Sequence, residues 1–324
     1  MAIAEETRVS PGDEPHVPSS GGERPIRWYQ QRWVHLAFGL LVAVLGVTWA
    51  GQRATEGVRT NLDARLVSAG AGADAALVNL EGEQLSALRA ISYTQGVGQA
   101  MASEDPAALN RLVAPLHANS NVPMVDVVLP DGRVEFAVRS KGAPAPVASR
   151  AGLAAIAESL RTRKGHRGGR FTELVIFKSG PTILTIGPVL NGSTPAGVVL
   201  VMTPLADALG RLSQQVGTDL TAYDGRGTPI ATTALFQPKT VNADDAKTLM
   251  GGGAIQMRYV HDKQREALGR LILDHQADAV LGASLYDNSP VTGRAVTIYA
   301  ALGLLCTMLI LWSFWIRFAN RRRQ

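Results

Sequence analysis

The chain of 324 residues holds a single cysteine, Cys306. No intramolecular disulfide is available, so any domain it builds must stand on packing alone. That permits a bacterial periplasm and argues against a small disulfide-built ectodomain. Tryptophan is missing between Ala50 and Arg294. Catalytic signatures are missing too: there is no Gly-x-Ser-x-Gly elbow, no phosphate loop ending in Gly-Lys-Ser/Thr and no His-Glu-x-x-His. Histidines 117, 166, 261 and 275 are scattered, without ligand spacing. The expectation is a protein that is not an enzyme and carries neither metal nor cofactor. The net charge is only +5 and spread along the chain, which argues against a nucleic-acid partner.

Charge is also absent from two long stretches, and these organise the rest. Trp33 to Ala50 contains His35 but no Asp, Glu, Lys or Arg, and Ala295 to Ile316 carries no formal charge. A bilayer core about 30 Å thick needs around 20 apolar helical residues. The expected partners therefore include a lipid bilayer, crossed at 33–51 and again at 294–316. Arg24, Arg27 and Arg32 precede the first span, and Arg317, Arg321, Arg322 and Arg323 follow the second. Arg53, Arg59 and Arg294 compete from between them. The bias places both termini in the cytoplasm and the middle outside the inner membrane. Residues 1–32 read as a disordered cytoplasmic tail and 317–324 as a short basic one.

The middle changes period along its length. Residues 52–104 read as a long stalk helix. Leu62, Leu66, Ala69, Ala73, Ala76 and Leu80 recur at gaps of 4, 3, 4, 3 and 4, which is a heptad seam. It fits the dimer seam of a parallel stalk, hence a homodimer. It also fits a helix packed on its own domain. Gly70, Gly72, Gly82, Gly96 and Gly98 make kinks or a break expected. Ser103, Asp105 and Pro106 then open a helix to about Ala118.

Beyond it come a strand at Met124–Leu129, the turn Pro130-Asp131-Gly132 and a return strand at Arg133–Arg139. A Pro- and Gly-rich loop, a helix at Ser149–Thr162 and strands at Phe171–Phe177, Thr182–Leu190 and Gly197–Thr203 complete one unit. A second unit repeats the order. It has a helix at Leu205–Val216, a hairpin about Asp224-Gly225-Arg226-Gly227 and a helix at Asp244–Met250. Three strands follow at Ala254–Val260, Glu266–Leu273 and Ala277–Leu285. The fold class is α+β: a long N-terminal helix and two mixed antiparallel modules that resemble PAS domains, 105–203 and 204–290, between two membrane helices.

This order of elements resembles an extracytoplasmic double Cache domain. The likeness rests on the long helix and on Val125-Asp126-Val127-Val128-Leu129-Pro130-Asp131-Gly132. It rests also on Pro195-Ala196-Gly197-Val198-Val199-Leu200-Val201 leading to Thr203-Pro204-Leu205, and on Asp219 to Gly227. The resemblance covers about 52–290. It implies a receptor that senses a small molecule outside the cell through a pocket in the membrane-distal module, 105–203. It further implies that the second membrane helix passes the signal to a cytoplasmic signalling domain or partner protein. The amino-acid-binding subgroup carries a Tyr, Arg, Trp and Asp signature; Tyr93 and Arg89 sit near the right region, and the tryptophan is absent.

Candidate ligand contacts follow from charge in apolar surroundings. Asp126 is an acid inside an apolar strand, facing either a pocket or solvent by strand alternation. Arg139 and Lys178 are weaker candidates of the same kind, and one of Arg139, Arg170 or Lys178 is expected to join Asp126 at the ligand. Arg170 ends the cluster Arg161, Arg163, Lys164, His166 and Arg167, which suits a carboxylate or phosphate, or is a solvated loop. The alternative function is an envelope scaffold whose ectodomain binds another protein.

Overall fold

The structure, a computed structural model, describes residues 28–140, 169–235, 237–261 and 263–321. The expected helix at Ser149–Thr162, the basic cluster from Arg161 to Arg167 and Arg24, Arg27, Arg322 and Arg323 lie outside them. Two compact units divide the chain: residues 53–294, and the two ends, 1–52 with 295–324.

One helix segment among the described residues, Ser289–Ser313, which runs from the end of the larger unit into that of the two ends, is long and apolar enough to cross a membrane, with mean hydropathy 2.1. The expectation of two such helices is therefore met once. The first stretch is helical, but its side chains are described only from Phe38 onward. That leaves 38–50, shorter than the about 20 residues a crossing needs. Phe38, Leu41, Leu45 and Trp49 are exposed there, as are Leu305, Leu309, Trp312 and Trp315 in the last helix.

The other unit is built on one helix and two sheets. Helix α1 runs Trp28–Ser92. It starts inside the stretch expected to be a disordered tail, and no proline interrupts the sequence between Pro25 and Pro106. The long helix was expected to reach about residue 103, but it stops at Ser92. Of the glycines named for a break, Gly96 makes it. It sits at φ 93 and is the N-cap of a short α2, Val97–Ala102. Gly98 lets α2 lie on the following hairpin, since a Cβ there would stand 2.2 Å from the Leu190 carbonyl oxygen. Helix α3, Pro106–Ala118, is capped by Asp105, whose carboxylate accepts from the amides of Ala107 at 3.0 Å and Ala108 at 2.9 Å.

Strands β1 Met124–Val128, β2 Val134–Arg139, β3 Phe171–Phe177, β4 Gly180–Asn191 and β5 Thr194–Pro204 form the first sheet, in the order β2-β1-β5-β4-β3. Helix α4, Leu205–Val216, leads to the second. That sheet has β6 Asp219–Tyr223, β7 Pro229–Thr232, β8 Gln256–His261, β9 Gln264–Leu273 and β10 Gln276–Tyr286, in the order β7-β6-β10-β9-β8. Helix α5, Ala243–Met250, follows β7, and α6, Ser289–Arg321, follows β10. The two orders are the same, and every pairing is antiparallel. Each first hairpin turns on an Asp that accepts backbone amides: Asp131 from Arg133, and Asp224 from Arg226 and Thr228. A glycine at positive φ follows each, Gly132 at 82 and Gly227 at 78.

One face of each sheet packs on helices. Ala87, Leu88 and Ile91 of α1 join α2, α3 and Val125, Val127, Val199 and Val201 of the first sheet. Leu62, Leu66, Ala69, Ala73 and Leu80 of α1, with Ala76 packed alongside, meet α4 and the second sheet. This corrects the expected dimer seam. The 4-3-4 stripe is consumed inside the chain, because a sheet face needs the same apolar row that a partner helix would. Gln84 sits fully buried in that row. It donates to Thr203 Oγ1 at 2.8 Å and accepts from Thr185 Oγ1 at 2.6 Å, pinning α1 to β4 and β5.

Candidate functional site

The other face of each sheet looks away from α1. On the first, strand alternation aligns Met124 and Val128 with Leu184, Ile186, Val198, Leu200, Met202 and Phe171. Asp126 lies in the same row, opposite Leu200 on β5 and Ala137 on β2, and is 4% exposed. The even-numbered positions of β1 thus face away from the helices and the odd-numbered ones face them. Of the two alternatives for Asp126, solvent is excluded: it is buried on the face away from α1.

A bare carboxylate on such a face would cost several kcal/mol. Arg139, one strand over and opposite Met124, supplies the counter-charge, pairing its Nη1 with the Asp126 carboxylate. The same nitrogen donates to the carbonyls of Val125 at 3.2 Å and Val138 at 3.0 Å. Burial pushes the Asp126 carboxyl above its ordinary range, and the Arg139 guanidinium works against that rise. Among the described residues, Nε and Nη2 of Arg139 have no hydrogen-bond partner.

The other two candidate cations do not join this pair. Arg170 directly precedes Phe171 and points to the helix face. Its guanidinium stacks 4.8 Å from the Tyr93 ring centre and donates to the Tyr93 hydroxyl. Tyr93 itself is 71% exposed, so it is not on the Asp126 face. Lys178 is exposed in the turn between β3 and β4, at the opposite edge of the sheet from β2.

On the second sheet, the face away from α1 is covered by α5, whose Ala246 and Leu249 pack with Tyr223, Leu268 and Val280, and it carries a polar cluster that no sequence motif marks. Tyr223 donates to Glu266 Oε1 at 2.8 Å, and Arg258 Nε donates to Glu266 Oε2 at 2.7 Å. Arg258 also reaches the Tyr223 hydroxyl at 2.9 Å and the carbonyls of Thr240 at 2.8 Å and Lys239 at 2.9 Å. Gly282 makes room, since a Cβ there would stand 2.1 Å from Glu266 Oε1. Burial raises the Glu266 carboxyl, and Arg258 opposes the rise. The criterion that singled out Asp126, an acid inside an alternating apolar strand, applies equally to Glu266. Among the described residues, no group of three His, Cys, Asp or Glu side chains is placed to hold a metal.

No protein-family model matches the chain, and no curated protein matches it either. Solved structures do. The ligand-binding domain of the Campylobacter jejuni chemoreceptor Tlp3, in complex with L-norvaline, is similar with TM-score 0.51 at 11% identity. The match covers 73% of this chain and 93% of that one. The extracellular domain of vpHK1S-Z8, assigned as a histidine kinase, gives TM-score 0.51 at 12% identity, over 75% of this chain and 96% of that one. A domain of a sensory box/GGDEF family protein from Vibrio parahaemolyticus gives 0.50 at 11%, over 73% and 98%. The chain has the double Cache fold. At such identities the likeness establishes the fold alone. In double Cache terms, Asp126 and Arg139 stand on the face of the first module's sheet that looks away from α1, and Glu266 and Arg258 on that of the second.

Proposed function

We propose that the chain is a membrane-anchored sensor whose double Cache domain lies in the periplasm and takes a small polar molecule at the face of the first sheet that looks away from α1. The observation that carries this reading is the buried Asp126–Arg139 pair on an otherwise apolar face. It offers an anion for a ligand amine and guanidinium donors for a ligand carboxylate. The fold supports the reading as well: Tlp3 of similar structure was solved with L-norvaline and with 4-methylisoleucine. The proposal assigns no catalytic step to the chain.

Transmission in this proposal runs through the last helix. Asp287, 2% exposed, stands between β10 and α6. It accepts from the Ser289 amide at 2.8 Å and from the Tyr259 hydroxyl at 3.0 Å, and Arg59 of α1 lies 4.0 Å away. A shift of the sheet relative to α1 would be felt at this junction. A ligand moves that balance only if it binds the two states unequally. The output is then read by a cytoplasmic partner, with both termini inside.

The test is a thermal-shift panel of amino acids, organic acids and amines on the full chain in detergent. Ligand binding to the native state raises Tm by mass action. Some members should do so, and Asp126→Ala should abolish the gain while leaving the circular dichroism spectrum intact. A panel without effect, together with an envelope protein captured through the same face, would replace the sensor reading with the scaffold one.

A further inference from the structure

The second module carries a site of its own. Helix α4 ends at Gly217, at φ 66, whose amide donates to the Ser213 carbonyl at 2.9 Å. Ser213 Oγ then donates to the Thr218 carbonyl at 2.7 Å. This double tie fixes the turn into β6 and sets Asp219 at its first position. Asp219 lies opposite Ser284 of β10 and on the face of Tyr223, the face of the second sheet away from α1. Beside it, Gln264, 7% exposed, donates to Ser284 Oγ at 3.2 Å.

These residues line an open cleft of about 860 Å³, with Thr218, Lys263 and Tyr286 also on its wall. That volume is in the range of small-molecule sites. The polar groups around it are incompletely used. Thr218 is 7% exposed, and its Oγ1 has no hydrogen-bond partner. The Asp219 carboxylate is half-buried, and among the described residues no cation or donor pairs with it. Burial alone raises its pKa, as expected of a desolvated acid without a counter-charge. Lys263 is exposed and stands on the same cleft.

We infer that this cleft is a second binding site, for a small zwitterion that gives its ammonium to Asp219 and its anionic group to Lys263. The inference does not depend on a ligand at Asp126. A free metabolite and the headgroup of an ethanolamine phospholipid share this chemistry. The lipid source is relevant because Tyr286 is followed within three residues by Ser289, where the apolar helix begins.

The test uses the full chain in phosphatidylcholine nanodiscs, with β-alanine, phosphoethanolamine, ethanolamine and acetate as probes in calorimetric titration. β-Alanine or phosphoethanolamine should bind at least tenfold more tightly than ethanolamine or acetate. Asp219→Asn should weaken that binding at least tenfold, Lys263→Gln should narrow the preference over ethanolamine, and both effects should persist in an Asp126→Ala background. If nanodiscs containing phosphatidylethanolamine raise Tm and suppress the titration, the bound zwitterion is the headgroup. Equal affinity for all four probes, or an Asp219→Asn variant that folds and binds as before, overturns the inference. Loss of binding with Asp126→Ala but not with Asp219→Asn would assign the same zwitterion to the first module and overturn it as well.

Discussion

Replacing Arg139 by Met removes the counter-charge of Asp126 while keeping an unbranched apolar stem. Breaking a buried ion pair from one side typically costs about 3–5 kcal/mol. The Arg139 side chain is 23% exposed, so water already screens part of the pair, and about 2–4 kcal/mol is the expected loss near pH 7.5. The carboxyl has an escape, which is to take up a proton. Burial already lifts its pKa, and removing the guanidinium lifts it further. A carboxyl whose folded pKa is raised contributes stability that is present below the unfolded value, near 3.9, and lost as pH rises through the folded value. The penalty of Arg139→Met should therefore shrink as pH falls from 7.5 to 5.5, by at most about 1.4 kcal/mol per pH unit. Adding Asp126→Leu leaves no charge to strand, and the double variant should recover most of the loss. Urea denaturation followed by circular dichroism at both pH values, on all four members of the cycle, reads each term. A single-variant penalty under about 1 kcal/mol, a penalty equal at the two pH values, or a double variant as unstable as the sum of the singles would refute the argument.

Leu66 is fully buried against the second module, so Leu66→Ala should cost about 2–5 kcal/mol; cysteines at Leu62 and Leu66 should fail to crosslink between chains in a disulfide assay. Gly227→Ala combines φ 78 with a Cβ only 2.1 Å from the Val241 carbonyl oxygen. The dihedral alone costs about 1–3 kcal/mol, and a thermal melt should show a fall of several degrees. At Asp287, burial disfavours the charge, but hydrogen bonds from Ser289 and Tyr259 and the nearby Arg59 outweigh it and hold the carboxyl below its usual range. Its contribution is thus present above pH about 4 and lost as pH falls through the lower folded value; Asp287→Asn should lower Tm at pH 7, and the deficit should close in acid.

The elements legible in the sequence are those whose ends carry local chemistry. Asp105-Pro106 marks the start of α3 because a carboxylate cap and a proline at the first turn act within a few residues. The Asp-Gly turns at 131–132 and 224–227 locate both first hairpins for the same reason. Element order, repeated once, then pointed to the double Cache fold. What could not be read is what depends on partners far apart in sequence. The stripe from Leu62 to Leu80 has the spacing of a dimer seam, and only the presence of α4 and β9 opposite it says that the row is already occupied. The break at 93–96 could not be chosen from five glycines, because it is set by α2 settling on the hairpin at Leu190. Asp126 was visible as an acid in an apolar strand. Its face, and the identity of Arg139 as its partner over Arg170 and Lys178, needed the register of β1 against β2.

The two modules share a strand order and differ in how the sheet faces away from α1 settle a buried acid, and that difference bears on where a ligand can act. Glu266 accepts from Tyr223 and Arg258, while Arg258 spends Nε, Nη1 and Nη2 on Glu266, Thr240, Tyr223 and Lys239. A network satisfied at every member is rigid, and inserting a ligand would mean breaking several bonds at once. The Asp126–Arg139 pair is different. One guanidinium nitrogen serves the carboxylate and two carbonyls, so a ligand bearing an amine and a carboxylate can insert by exchanging one contact and adding others. In the second module the comparable spare capacity lies at Asp219, across Ser284 from Glu266 and with no partner to displace among the described residues. A saturated network beside an unsaturated acid lets one sheet hold its shape while part of its face remains open to exchange. On this argument Glu266→Gln should disturb folding first and binding only through it, whereas Asp126 and Asp219 can be substituted with binding changed and the fold retained.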